Sequence, residues 1–176
     1  MRLLTLLVFS AALYAQAPAS RENPGPDRIA RLVRRELVTL PFLTAFDNLA
    51  FRIDGGTITL EGQVTRPVLK KDAENVVKKV EGVEKVVNNI EVLPLSPNDD
   101  DIRAATYRSV FSHPALNRYA IQAQPPIRII VRNGNVTLIG VVNSQQEKTI
   151  AGMQANQVPG VFQVKNELQV EARSKR

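Results

Sequence analysis

Residues 56–92 read GTITLEGQVTRPVLKKDAENVVKKVEGVEKVVNNIEV, and residues 134–170 read GNVTLIGVVNSQQEKTIAGMQANQVPGVFQVKNELQV. The offset is constant (134 − 56 = 78), so the second stretch repeats the first without a gap, with 13 identities over 37 positions. The shared residues include Thr59/Thr137, Leu60/Leu138, Gly62/Gly140, Ala73/Ala151, Gly82/Gly160, Val86/Val164 and Asn88/Asn166. A period this long is the size of a small domain, not of a solenoid unit. The chain is therefore read as two tandem copies of one domain.

Working outward from the first copy, Leu49, Phe51 and Ile53 alternate with polar or small residues up to the turn signal Asp54-Gly55-Gly56. Ile58, Leu60 and Val64 follow, so the pair reads as an antiparallel hairpin. Pro67 suits the first turn of a helix, whose inner residues are expected to be Val68, Ala73, Val76, Val77 and Val80. Gly82 stands where a helix gives way to a left-handed residue, and residues 83–92 form the closing strand. Before the hairpin, Asp27 is a plausible N-cap for a helix with Ile29, Leu32, Val33 and Leu37 inside and Arg28, Arg31 and Arg35 outside. The second copy repeats the plan. A helix starts near Asp101 with Ile102, Ala105, Thr106 and Val110 as its inner stripe. Asn133-Gly134 is a hairpin turn, Ser144 to Glu147 is a capping-box pattern, and residues 161–170 close the sheet. The expected fold is α+β: two α-β-β-α-β domains, each a three-stranded mixed sheet with two helices on one face. A right-handed crossover sets the second and third strands parallel.

The remaining segments are connectors. Residues 1–17 read as a signal peptide, with Arg2, an apolar run and a small-x-small site at Ala15-Gln16-Ala17. Residues 18–26 read as a disordered lead-in, 27–94 as the first domain, 95–100 as the linker, 101–171 as the second domain and 172–176 as a basic tail. An exported protein with no transmembrane segment after cleavage is expected. The formal charge is +6, and the chain has no cysteine. Disulfides, thiolate metal sites and a lipidated cysteine are thereby excluded. The modest basic excess suits an anionic partner or simply solubility.

Catalytic chemistry finds little footing. His113 is the only histidine, lacks a counterpart in the first copy, and precedes Pro114 at a helix end, where a capping role is expected. No carboxylate cluster has metal-ligand spacing, and the run Asn98-Asp99-Asp100-Asp101, without an EF-hand pattern, reads as a solvated linker that caps the following helix. Asp54-Gly55-Gly56 leads into a strand, unlike a phosphate loop. With no tryptophan and 5% aromatics, base-stacking platforms for nucleic acid are not expected. Asn88 and Asn166 sit among core-facing residues of the closing strands. Such an amide must find hydrogen-bond partners, as a structural tie or as a ligand contact.

The hairpin phrases 58–64 and 136–142, and the phrases 80–90 and 158–168, resemble the two hallmarks of the BON domain. A leader followed by two copies is similar to the osmotically inducible periplasmic protein Y family. The resemblance implies a non-catalytic envelope protein with no cofactor, linked to phospholipid association, envelope integrity and osmotic stress. The hallmark glycines and valines define a fold, so function must lie elsewhere.

Two surfaces stand out as candidates. Arg103, Tyr107, Arg108 and Phe111 lie off the expected inner stripe of the second domain's first helix. Cations beside aromatic rings suit a phospholipid headgroup interface; packing of Tyr107 and Phe111 under residues 117–126 is the other reading. Ile130, Ile139 and Val141 have the parity of the open sheet face, where the first domain has the polar Thr59, Glu61 and Gln63. That apolar face suits packing against the first domain or an envelope protein partner. The leading functional expectation is peripheral association with anionic phospholipid, and the alternative is a protein-assembly module without lipid contact.

Overall fold

The computed structural model describes residues 25–122 and 124–171. The expected signal peptide and basic tail lie outside the described residues.

Helix α1 (Pro26–Val38) opens the first domain. Its N-cap is Gly25, with Pro26 as the first helical residue, two positions earlier than Asp27 suggests. Ile29, Val33 and Leu37 recur at helical spacing and are buried. Strands β1 (Asn48–Asp54) and β2 (Thr57–Val64) form the antiparallel hairpin. Helix α2 (Pro67–Val77) crosses over to β3 (Lys85–Asn88) and β4 (Glu91–Val92), both parallel to β2. These two segments are one closing strand broken at Asn89-Ile90. The buried face of α2 is Leu69, Ala73 and Val77, while Val68 is 44% exposed. The expected stripe started one residue early: only Leu69 shares a helix face with Ala73 four residues on.

The second domain repeats the order with α3 (Pro97–Ser112), β5 (Ile127–Arg132), β6 (Asn135–Val142), α5 (Gln145–Asn156) and β7 (Gln163–Val170). A short helix α4 (Asn117–Ala120) is added where the sequence reads as a loop. The sheet order is β5-β6-β7, with β6 and β7 parallel. Two cores result. One is built on Ile58, Leu60, Leu69 and Ile90, the other on Leu116, Ile127, Ile129, Leu138 and Leu168. The two-domain α+β plan is as expected.

The repeated glycine of each hairpin has a geometric reason. Gly62 and Gly140 adopt φ of +114° and +131°. A Cβ there would lie 2.0 Å from the Asn48 carbonyl oxygen and 1.8 Å from that of Pro126. Only glycine lets the hairpin partners approach this closely.

The two halves are joined by the turn between α1 and β1. The Ala45 carbonyl accepts a hydrogen bond from Ile129 N at 2.8 Å, on the free edge of β5. Arg128 Nη1 donates to Thr44 O at 2.8 Å, and Phe46 packs against the second core. Asp47, fully buried, fixes this turn: its carboxylate accepts from the amide and hydroxyl of both Thr44 and Thr65 at 2.7–2.9 Å. Arg132 and Glu91 add an ion pair at 2.8 Å between the halves.

Candidate functional site

Helix α3 does not present the expected headgroup surface. Arg103 is 4% exposed and Phe111 5%. The Arg103 guanidinium donates to the Val131 carbonyl at 2.8 Å and to Asp100, so it serves the edge of β5 and cannot meet a headgroup. Tyr107 is half-buried between Phe46 and Phe111, with ring centroids 6.0 and 4.6 Å away. Of the four, Arg108 alone is exposed. The expected inner stripe missed this because Phe46, from the other domain, supplies the apolar neighbour that turns the Tyr107 side of the helix inward.

The acidic run is also divided. Ser96 caps α3 by accepting from Asp99 N at 3.2 Å. Asp99 is not solvated: it is 1% exposed and accepts from the amides of Asn133 and Gly134, both at 2.9 Å. It pins the β5–β6 turn onto the start of α3. On the open face of the second sheet, Ile130 is 6% exposed. It lines a hollow shared with Ile139 and with Gln63 and Leu93 from the first domain. Ile139 is half-buried, and Val141 remains on the surface at 43% exposure.

Asn88 and Asn166 are structural ties. Asn88 Nδ2 donates to Lys70 O at 2.8 Å and to Glu74 at 3.0 Å; Asn166 Nδ2 donates to Lys148 O at 2.7 Å. In both domains the side-chain oxygen accepts from the amide two residues on. The Glu74 carboxyl is held below its ordinary value, first by the hydrogen bond from Lys78 and then by that from Asn88. Gly152 replaces Glu74 in the second copy, and a Cβ there would meet Asn166 Nδ2 at 2.8 Å. His113 ends α3, its Nδ1 accepting from Ala115 N at 3.2 Å. Glu147 closes α5 onto α4, accepting from the Tyr119 hydroxyl at 2.8 Å and from Asn143 N at 2.9 Å. Among the described residues no group of three His, Cys, Asp or Glu side chains suits a metal ion, and no helix is long and apolar enough to cross a membrane.

A different exposed cluster emerges at the α1–β1 turn. Leu40-Pro41-Phe42-Leu43 is a tight turn closed by Leu43 N to Leu40 O at 3.4 Å. Phe42, in the third position, has φ of +67°. Such turns ordinarily place glycine there, because a side chain at positive φ is strained. The strained backbone holds the Phe42 ring outward, 61% exposed, with the Arg66 guanidinium carbon 5.4 Å from its centroid. Val38, 42% exposed, lines a groove of about 480 Å³ between α1 and β1 together with Arg34 and Arg128. Burial pushes the Arg128 guanidinium below its ordinary value, against the pull of Asp47. Leu95, 93% exposed, shares a hollow with Arg66. The sequence signal for this cluster was Pro-Phe in a turn lacking glycine, which hydrophobic periodicity does not register.

The BON domain family matches residues 27–94 and again 98–172. The chain belongs to the BON family. BON domains are associated with phospholipid binding and are in general non-enzymatic, and their proteins are typically periplasmic or membrane-associated. No curated protein matches this BON chain. The solved structures that resemble it include two of CdsD, a structural protein of the type III secretion system of Chlamydia trachomatis. The first, its C-terminal domain, has a TM-score of 0.30 at 12% identity, covering 85% of this chain and 100% of that one. The second has a TM-score of 0.29 at 12% identity, covering 83% and 94%. Likeness at that level does not carry the role of CdsD to this tandem BON protein.

Proposed function

We propose that this chain is an exported, non-catalytic envelope protein, akin to the osmotically inducible protein Y family. In this reading it associates peripherally with anionic phospholipid and supports envelope integrity under osmotic stress. The observation that carries the reading is Phe42, held outward by a strained backbone with the Arg66 guanidinium over its ring. An outlier in backbone conformation at an exposed aromatic motivates a functional hypothesis. An aromatic ring seated at the headgroup boundary, with Arg34 and Arg66 meeting phosphate, is the chemistry a peripheral membrane contact uses. Membership of the BON family supports the same reading.

The test is co-sedimentation of the protein with phosphatidylcholine vesicles, with and without phosphatidylglycerol, at low and high salt. Binding to the anionic vesicles should weaken as the Debye length falls from about 10 Å at 0.1 M to about 3 Å at 1 M. Phe42→Gly should reduce binding while leaving fold stability within about 1 kcal/mol, because glycine relieves the positive φ that phenylalanine strains. Wild-type protein that ignores anionic vesicles at both salts would remove the lipid reading. The alternative, an assembly module without lipid contact, is favoured by Val141, an apolar side chain left exposed on the open sheet face.

A further inference from the structure

The second sheet has one guarded edge and one open edge. On β5 the outward Ile129 amide is taken by Ala45 and the outward Val131 carbonyl by Arg103. On the other side β7 ends the sheet order β5-β6-β7, and all eight of its residues pair with β6 without a break. The equivalent strand of the first domain protects itself. It is cut into four- and two-residue pieces at Asn89-Ile90, and its Glu91 is bound to Arg132. A long, unbroken, uncovered edge offers its backbone groups to another strand.

The sequence of β7 says which strand fits. Read outward from Asn166, its residues mirror one another in chemistry: Lys165 against Glu167, Val164 against Leu168, and Gln163 against Gln169. We infer that β7 pairs antiparallel with β7 of a second copy of the chain, about a two-fold axis through Asn166. The two three-stranded sheets then become one continuous six-stranded sheet. An antiparallel pair of this register sets each Lys165 opposite a Glu167 of the other copy, so two cross-strand ion pairs form for every dimer. In the single chain these two side chains, both exposed, pair with each other at 2.5 Å. In the dimer they make a four-charge alternating cluster.

The backbone parity agrees. Glu171 N donates to Val142 O, so within β7 the odd-numbered residues bond β6 and the backbone groups of Val164, Asn166 and Leu168 turn outward. The outward Leu168 amide has only a long bond to Asn166 Oδ1, at 3.3 Å, which a strand-to-strand bond would replace. Gln163, Lys165, Glu167 and Gln169 are all exposed. They fall at the non-hydrogen-bonded positions, where facing side chains come closest. Phe162, 86% exposed, precedes β7 with its amide held by the Gly134 carbonyl at 2.8 Å, and Val170, 40% exposed, ends the strand, so exposed apolar side chains flank both ends of the register. The matching pattern in the first domain fails at its centre, where Val87 would face Asn89. Strand pairing alone buries less than a standard interface, so the dimer is a concentration-dependent one. It requires no lipid and stands apart from the membrane reading.

Sedimentation of the chain over a concentration series tests this. Wild-type protein should show a monomer–dimer equilibrium. Glu167→Lys and Lys165→Glu, each turning two attractions into two repulsions, should weaken it at least about tenfold, near 1.4 kcal/mol. An equimolar mixture of the two variants should dimerise again, as should the double swap carrying both changes. Circular dichroism verifies that each variant is folded. A second readout uses the absence of native cysteine: Gln163→Cys mixed with Gln169→Cys should cross-link into a heterodimer faster than either variant alone, since each faces the other across the axis. A wild-type chain that stays monomeric throughout, dimers indifferent to Glu167→Lys, or cross-linking with no preference for the mixture would each overturn the pairing.

Discussion

Asn88 and Asn166 are the residues through which each closing strand is tied to its helix, and their removal has a direct consequence. Asn166→Ala should lower stability by about 1–3 kcal/mol in urea unfolding, because the Lys148 carbonyl and the Leu168 amide both lose a partner. Asn88→Ala should do the same and also move Glu74. The folded-state value of Glu74 is depressed, so its contribution is present above the unfolded-state value and is lost as pH falls through the lower, folded one. NMR titration should place the Glu74 carboxyl below its ordinary 4.5, with Lys78→Met raising it more than Asn88→Ala, since the lysine is the larger cause. The hairpin glycines are stricter still. Gly140→Ala must combine a φ of +131° with a Cβ 1.8 Å from a backbone oxygen. A loss on the order of 3 kcal/mol, or failure to fold, is expected on expression and melting.

At the scale of elements, helix α3 separates what pattern reveals from what it conceals. Its existence and the hairpin that follows were legible, because apolar spacing and Asn133-Gly134 are local signals. Its faces were not. Arg103 and Asp99 are charged residues that a helical-wheel reading sends outward, yet both are buried because backbone groups of β5 and its turn need them. Arg103→Ala should cost on the order of 3 kcal/mol, since it leaves the Val131 carbonyl unpaired and opens a gap in the core wall. Denaturant unfolding measures this, and an effect below about 0.5 kcal/mol, typical of surface sites, would show that the edge does not depend on it. Repeat alignment located Gly62, Gly82 and Asn88 through their partners, so features common to both copies were readable. Phe42, Phe46 and α4 belong to one copy only, and no alignment of the chain with itself brings them out.

Across the whole molecule, the α1–β1 turn makes the two domains interdependent. Phe46 leaves the first domain to pack on Tyr107 and Phe111, Ala45 finishes the edge of β5, and Asp47 is locked by four hydrogen bonds. The halves should therefore unfold in one calorimetric transition. Phe46→Ala removes a half-buried ring, should lower stability by about 2 kcal/mol, and should split the transition into two as the coupling weakens. A single sharp transition in the variant would mean that the coupling resides elsewhere. The direction of this dependence also matters during synthesis. A ribosome releases the first domain while the second is still being made, and domains usually fold in that order. The emerging β5 then meets a carbonyl and an aromatic ring already in place on a neighbour that shares its fold. Two near-copies on one chain invite exchange of equivalent segments; a one-way template, offered only by the earlier copy, gives the nascent chain a reason to assemble each half in its proper seat.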